Sequence, residues 1–171
     1  MILLTVGTQL PFDRFVRLVD ELAPTLSMPV LAQIGSGRFH PANMEWRDFI
    51  GPVDFEALVR DCAFIVSHAG IGTVVMARRH AKPLVLFPRL GALDEHRNDH
   101  QVATLRALEG RRGIYTARDG DELARHLHAP LETPDEDRAS PERDRLRDTI
   151  ADFMTVQRAH WLGARARSQL R

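Results

Sequence analysis

Apolar residues in this chain gather in short unbroken runs, and between the runs they recur at helical spacing. "ILLTV" (2–6) is the first run. It leads into a segment from Pro11 to Leu22 in which Phe12, Phe15, Val16, Val19 and Leu22 share one face, with Pro11 placed for a helix first turn. "PVLAQIG" (29–35) reads as a second strand and "WRDFIG" (46–51) as a weaker third. A short helix follows over 54–60, with Asp54 as its cap. "AFIVS" (63–67) is hydrophobic throughout, as a strand covered on both faces should be. The turn "HAG" opens a helix that Pro83 must stop near Lys82. "PLVLFP" (83–88) is the fifth strand and "GALDEHRND" a polar loop. "HQVATLRALEG" is a helix closed by Gly110, "GIYTA" a last strand and "DGDELARHLH" a last short helix.

Strands that alternate with helices in this way predict an α/β fold, a single Rossmann-like doubly wound parallel sheet. After Pro130 the pattern changes, which divides the chain into a domain over 1–130 and a remainder over 131–171. "LETPDEDRASPE" reads as an acidic, proline-broken linker. From about 141 to 170 an amphipathic C-terminal helix is expected, with Leu146, Ile150, Phe153, Met154 and Trp161 as its stripe. That stripe packs either on the domain itself or on a partner.

Composition narrows the function. The 171 residues suit one domain with a real core. Charges balance, 23 basic against 23 acidic, so no net field calls for nucleic acid. Lys82 is the only lysine, and an arginine excess suits phosphates and carboxylates. Cys62 is the only cysteine, which excludes an internal disulfide and a cysteine metal cluster and points to a reducing compartment. "MILLTV" is too short for a signal peptide, and no run approaches the roughly 20 apolar residues that span a bilayer. No direct transmembrane insertion is expected.

In doubly wound sheets, ligands bind outside the carboxyl ends of the strands where strand order reverses, which for order 3-2-1-4-5-6 lies between strands one and four. Those strands end in "GTQ" (Gly7, Thr8, Gln9) and "SHAGIGT" (Ser67 to Thr73). Glycine admits close backbone approach, and a helix N-terminus favours negative charge, so the pair of turns suits a diphosphate. A nicotinamide dinucleotide would want G-x-G-x-x-G after strand one and an acid after strand two, where this chain has one glycine and Gln33. A P-loop is excluded, because Lys82 stands at the wrong end of a helix. The loop after strand five, with Asp94, Glu95, Asn98, Asp99 and Gln101, carries polyol ligands to the same crevice. Together the three loops suggest a nucleotide-sugar pocket.

"TVGTQLPFDR", "AQIG", "SHAGIGT", "KPLVLFPR" and "EHRNDHQ" resemble the donor-binding half of GT-B glycosyltransferases of the family that includes the peptidoglycan N-acetylglucosaminyl transferase. The likeness is nearest to stand-alone versions of that half: the catalytic subunit of two-part exopolysaccharide transferases and its eukaryotic counterpart in lipid-linked oligosaccharide synthesis. It covers roughly residues 1 to 116. The resemblance implies a UDP-sugar donor, carrying N-acetylglucosamine or glucuronic acid, and inverting transfer with no bound metal or other cofactor. It places Gly7, Thr8, Gln9, His68, Ala69, Gly70, Gly72 and Thr73 on the diphosphate, and Asp99 and Gln101 on the sugar, with Glu95 and His96 lining the same loop. It further implies a membrane-associated acceptor-binding partner subunit, a lipid-linked acceptor, and a cytoplasmic location at the membrane's inner face. One position departs from the family: the ribose-binding glutamate of single-chain relatives is Met76 here.

Inverting transfer needs a general base on the acceptor and relief of the departing diphosphate. This chain supplies the second, and the base is expected from the partner, with His68 and Glu95 the candidates within the chain. His68 also suits a structural strand-end histidine. His96 and His100 lack a third metal ligand at a useful spacing. Arg89 serves either an anionic ligand or an ion pair with Asp94 or Glu95. Two other readings share the fold: a non-catalytic nucleotide-sugar-binding regulatory subunit, which Met76 favours, and half of a nucleotide-sugar epimerase.

Overall fold

A computed structural model describes residues 1–134 apart from Asn98. The expected C-terminal helix lies outside the described residues. Six strands form one all-parallel sheet: β1 (Ile2–Thr5), β2 (Val30–Gln33), β3 (Glu45–Arg47), β4 (Phe64–His68), β5 (Leu84–Phe87) and β6 (Ile114–Thr116). Their order is β3-β2-β1-β4-β5-β6. Chain order therefore reverses between β1 and β4, with Thr5 opposite Ser67 in register. The doubly wound expectation is met.

Helices cover both faces. On one face α1 (Asp13–Leu22) and α5 (Gly120–His128) bury Phe15, Val16, Val19, Leu123 and Leu127 against β1, β2 and β5. On the other, α2 (Pro52–Asp61), α3 (Ile71–Arg79) and α4 (His100–Leu108) bury Val59, Val74, Ala77 and Leu105. Strands β1, β4 and β5 are buried along almost their whole length, which is why they read as unbroken apolar runs. The thiol of Cys62 lies in this core, where burial pushes its pKa up.

Several boundaries differ from the sequence pattern. Helix α1 starts at Asp13, with Phe12 as its N-cap, so Pro11 precedes the helix rather than opening it. Strand β3 is three exposed residues at the sheet edge, and Phe49 and Ile50 have already left it. Helix α3 ends at Arg79, because Ala81 turns to a φ of +49° ahead of Pro83. Residues 131–134, expected in a linker, pack back on the sheet domain. The Glu132 amide donates to the Tyr115 hydroxyl at 2.7 Å, and Pro134 crosses directly over Gly113.

Candidate functional site

The carboxyl ends of β1, β4 and β5 open into a cavity of about 590 Å³. Its floor is the pair of turns predicted to meet there. Thr5 Oγ1 accepts from the Gly7 amide at 3.1 Å and from Gln33 Nε2 at 3.1 Å, while Gln33 Oε1 accepts from the Ile50 amide at 2.9 Å. Gln33 thus spends its amide tying the first turn to the loop after β3. No acid stands at the end of β2 for a dinucleotide ribose.

The imidazole of His68 fills the space between the two turns. A Cβ on Gly7 would lie 2.7 Å from His68 Cε1, and one on Gly70 would collide with Nε2. Glycine is required at both positions because the ring occupies the volume a side chain would take. Gly7 needs it twice over, at a φ of +78°. Beyond Gly70, helix α3 begins with no side-chain cap, so the amides of Ile71, Gly72 and Thr73 face the cavity as unmet donors.

Burial pushes the His68 pKa down from 6.5 to about 4, the Arg89 charge adds to this, and a hydrogen bond with the Thr5 backbone opposes it. The ring is therefore neutral at pH 7, a poor general base and a neutral lining group. Because the folded pKa is the lower one, the unfolded chain takes up a proton that the fold resists. Stability is full above 6.5 and declines as pH falls toward 4. The expected loss is up to about 3 kcal/mol, and His68→Gln should flatten this dependence in denaturant titrations at a series of pH values. A bound diphosphate favours the imidazolium, so nucleotide binding near pH 5 should take up protons, seen calorimetrically in buffers of different ionisation heat.

Arg89 shapes the first turn from beneath. It is 2% exposed, and its Nη2 donates to the Val6 and Leu10 carbonyls at 2.8 Å each, while Nη1 donates to the Pro11 carbonyl. The guanidinium also lies 4.5 Å from the Phe12 ring centre, and burial lowers its pKa to about 10. Among the described residues its guanidinium makes no salt bridge to Asp94 or Glu95; its donors go to backbone carbonyls, and the residue lines the cavity.

The other predicted residues divide. Gly7, Thr8, Gln9, His68, Gly70, Gly72, Thr73, His96 and Gln101 line the cavity, and so does Met76. Ala69 does not: it is buried in the core between β4 and α3. Glu95 does not either. Arg14 grips its two oxygens at 2.7 Å each, and the Leu90 amide donates to it at 2.9 Å. Asp99 precedes α4 and accepts from the Gly91 amide at 2.8 Å, bracing the loop. Both were expected at the sugar; neither lines the cavity, and their side chains accept from Arg14, Leu90 and Gly91. Glu95→Gln keeps an acceptor for Leu90 but weakens the Arg14 pair. It should cost about 1–2 kcal/mol in thermal unfolding and leave nucleotide affinity within about threefold.

An apolar wall went unread in the sequence. Phe49, Ile50, Pro52 and Phe55, from the loop after β3 and the start of α2, join Met76 on the β3 side of the cavity. Phe49 is 61% exposed, an open face suited to a planar base. The apolar pair ahead of "GP" at a strand's carboxyl end was the available signal. On the β5 side the lining is polar: His96 and His100 in edge-to-face contact with ring centres 4.3 Å apart, and Gln101. Among the described residues no carboxylate lines the cavity.

A second hollow of about 460 Å³ lies between Gly110–Thr116 and α5. Two of its four arginines are met by acids, Arg118 by Glu109 at 2.7 Å and Arg112 by Glu132 at 3.3 Å, and the Asp119 side chain caps α5. It lies away from the strand-order reversal.

Fold and cavity together have the form of one half of a GT-B architecture, a doubly wound parallel sheet with a cavity at its strand-order reversal. The sequence matches the glycosyltransferase family 28 C-terminal domain over residues 1–153, and the chain belongs to that family. Among solved structures it is similar to the glycotransferase of kitacinnamycin, at 19% identity and TM-score 0.56, over 74% of this chain and 33% of that one. It is also similar to the glycosyltransferase SnogD from Streptomyces nogalater, at 24% identity and TM-score 0.51, with the same 74% and 33% coverage. At these identities the likeness is one of fold. The chain spans about a third of the length of these structures. No curated protein sequence matches significantly. Among the described residues no helix is long and apolar enough to cross a membrane.

Proposed function

We propose that this chain is the donor-binding, catalytic subunit of a two-component inverting glycosyltransferase that takes sugar from a UDP-sugar. The observation that carries the reading is the cavity at the β1/β4 reversal, with uncapped α3 amides and the Gly7 turn facing one another across His68. A diphosphate placed there meets backbone donors on both sides. The base then lies toward the apolar wall of Phe49 and Phe55, and the sugar toward His96 and Gln101. As the bond to the anomeric carbon breaks, charge grows on the leaving diphosphate, and fixed amides oriented beforehand stabilise it without reorganisation.

The missing half of the reaction is equally informative. His68 is too weak a base and Glu95 is held by Arg14, so neither candidate that the sequence offered takes the acceptor's proton. The base on the acceptor hydroxyl therefore comes from a partner, a membrane-associated subunit that holds a lipid-linked acceptor. Met76 puts a thioether where relatives hold ribose, so contacts to the base and diphosphate set nucleotide affinity.

The test is transfer of labelled sugar from UDP-glucuronic acid or UDP-N-acetylglucosamine by the full chain, with and without membranes that carry the partner and acceptor lipid, in a metal chelator. The expected product is an organic-soluble glycolipid of inverted configuration, formed only with membranes. UDP binding without any transfer, membranes included, would instead support the non-catalytic binding subunit.

A further inference from the structure

The β3 side of the cavity is walled by Phe49, Ile50, Pro52, Phe55 and Met76, and none of these side chains carries an oxygen or nitrogen. Gln33 stands at the carboxyl end of β2, between β3 and β1, where an acceptor for a ligand hydroxyl would be well placed. It is 4% exposed and engaged at both ends: its Oε1 accepts from the Ile50 amide at 2.9 Å, and its Nε2 donates to Thr5 Oγ1 at 3.1 Å. The acids of this stretch lie elsewhere. Asp48 and Asp54 are outside the cavity lining, and Glu56 meets His80 at 3.0 Å.

Position decides which part of a ligand meets this wall. Met76 follows Thr73 by three residues on α3, so the two share a helix face, with Thr73 at the uncapped turn and Met76 further along. Phe55 belongs to α2, which packs against α3. A nucleoside diphosphate with its phosphates at the α3 turn and its base on Phe49 and Phe55 therefore sets its pentose ring beside Met76. The 2′-carbon adjoins the carbon that bears the base, so a 2′-hydroxyl there faces a thioether and ring carbons.

We infer that Met76 and the wall around it leave the nucleotide's 2′-hydroxyl unread, so that the site takes 2′-deoxynucleoside diphosphate donors, thymidine diphosphate sugars among them, at least as well as uridine ones. This rests on the nucleotide-sugar reading above and deepens it by setting the class of nucleotide. A site built to hydrogen-bond a hydroxyl rejects the analogue that lacks it, because the site's own polar group is left unpaired. Here no side chain is left stranded. Desolvating the hydroxyl without a partner costs free energy instead, which favours the deoxy compound. The 5-methyl group of thymine adds apolar contact with the open face of Phe49.

UDP and 2′-deoxy-UDP differ by one oxygen, so calorimetric titration of the full chain with each isolates its effect, with thymidine diphosphate as a third ligand. The wild type should bind 2′-deoxy-UDP as tightly as UDP or up to about tenfold more tightly, and thymidine diphosphate no more weakly than 2′-deoxy-UDP. Met76→Glu sets a charged acceptor beside the pentose. It should reverse the order, with UDP bound about threefold or more tighter than 2′-deoxy-UDP. Met76→Gln carries a neutral acceptor and should move the ratio the same way, which decides the matter if Met76→Glu fails to fold by circular dichroism. Binding of 2′-deoxy-UDP by the wild type about threefold or more weaker than UDP overturns this inference alone. A ratio that neither variant moves overturns the placement of the pentose at Met76. Failure to bind any of the three removes the nucleotide-sugar reading and this inference with it.

Discussion

Gly7→Ala is expected to abolish nucleotide binding and to lower stability by about 2–4 kcal/mol, a fall of roughly 10 °C in melting temperature. Two costs combine. A φ of +78° is strained for any residue with a Cβ, and that Cβ would lie 2.7 Å from His68 Cε1. The ring has nowhere to retreat, because Gly70 packs against its other edge. Relief must come from the backbone of the turn itself, which moves the Gly7 amide away from the proposed diphosphate site. Gly72→Ala is the informative contrast. A Cβ there meets nothing within 4 Å, and alanine favours the helix, so stability should hold or rise by about 0.5–1 kcal/mol. Its effect is on the ligand alone, since the new methyl group stands in the cavity. Thermal melts and UDP titrations on the two variants separate a glycine needed by the fold from one needed by the phosphate.

Arg89→Met should cost about 3–5 kcal/mol and weaken nucleotide binding by at least about a hundredfold. Methionine fills most of the volume but leaves the carbonyls of Val6, Leu10 and Pro11 without their shared donor. The first turn, exposed from Thr8 to Pro11, then loses the group that folds it around the cavity. Arg89→Lys tells apart two explanations. If Arg89 served only as a charge for the phosphates, lysine would restore binding. Because the guanidinium bridges three carbonyls with a fixed fork, lysine should recover only part of the stability and little of the affinity.

Most of the fold was legible because its signals are local and redundant. Buried central strands read as apolar runs, and helix faces as a 3.6-residue period. The reversal between β1 and β4 then follows from the strand order such alternation favours. The turns at Gly7 and Gly70 were legible for a related reason: a glycine at a strand–helix junction advertises close approach. The loop from Arg89 to Gln101 was harder. Its residues were recognised as polar, but sequence does not say which partner each one meets. Glu95 was claimed by Arg14, 81 positions earlier on a helix face that reads as solvent-exposed. Arg89 was claimed by carbonyls 78 to 83 positions earlier. Such pairings depend on tertiary closure, which no periodicity encodes. The apolar wall was missed for a different reason, since Phe49 and Ile50 look like a strand's tail rather than the lip of a pocket.

The placement of the diphosphate can be read from backbone amide shifts in a labelled full-length chain titrated with UDP. The proposed function predicts saturable movement of the Gly7, Gly70, Ile71, Gly72 and Thr73 resonances, with no matching response to NAD. Shifts confined instead to Gly110–Thr116 and α5, or an equal response to NAD at the two turns, would contradict it.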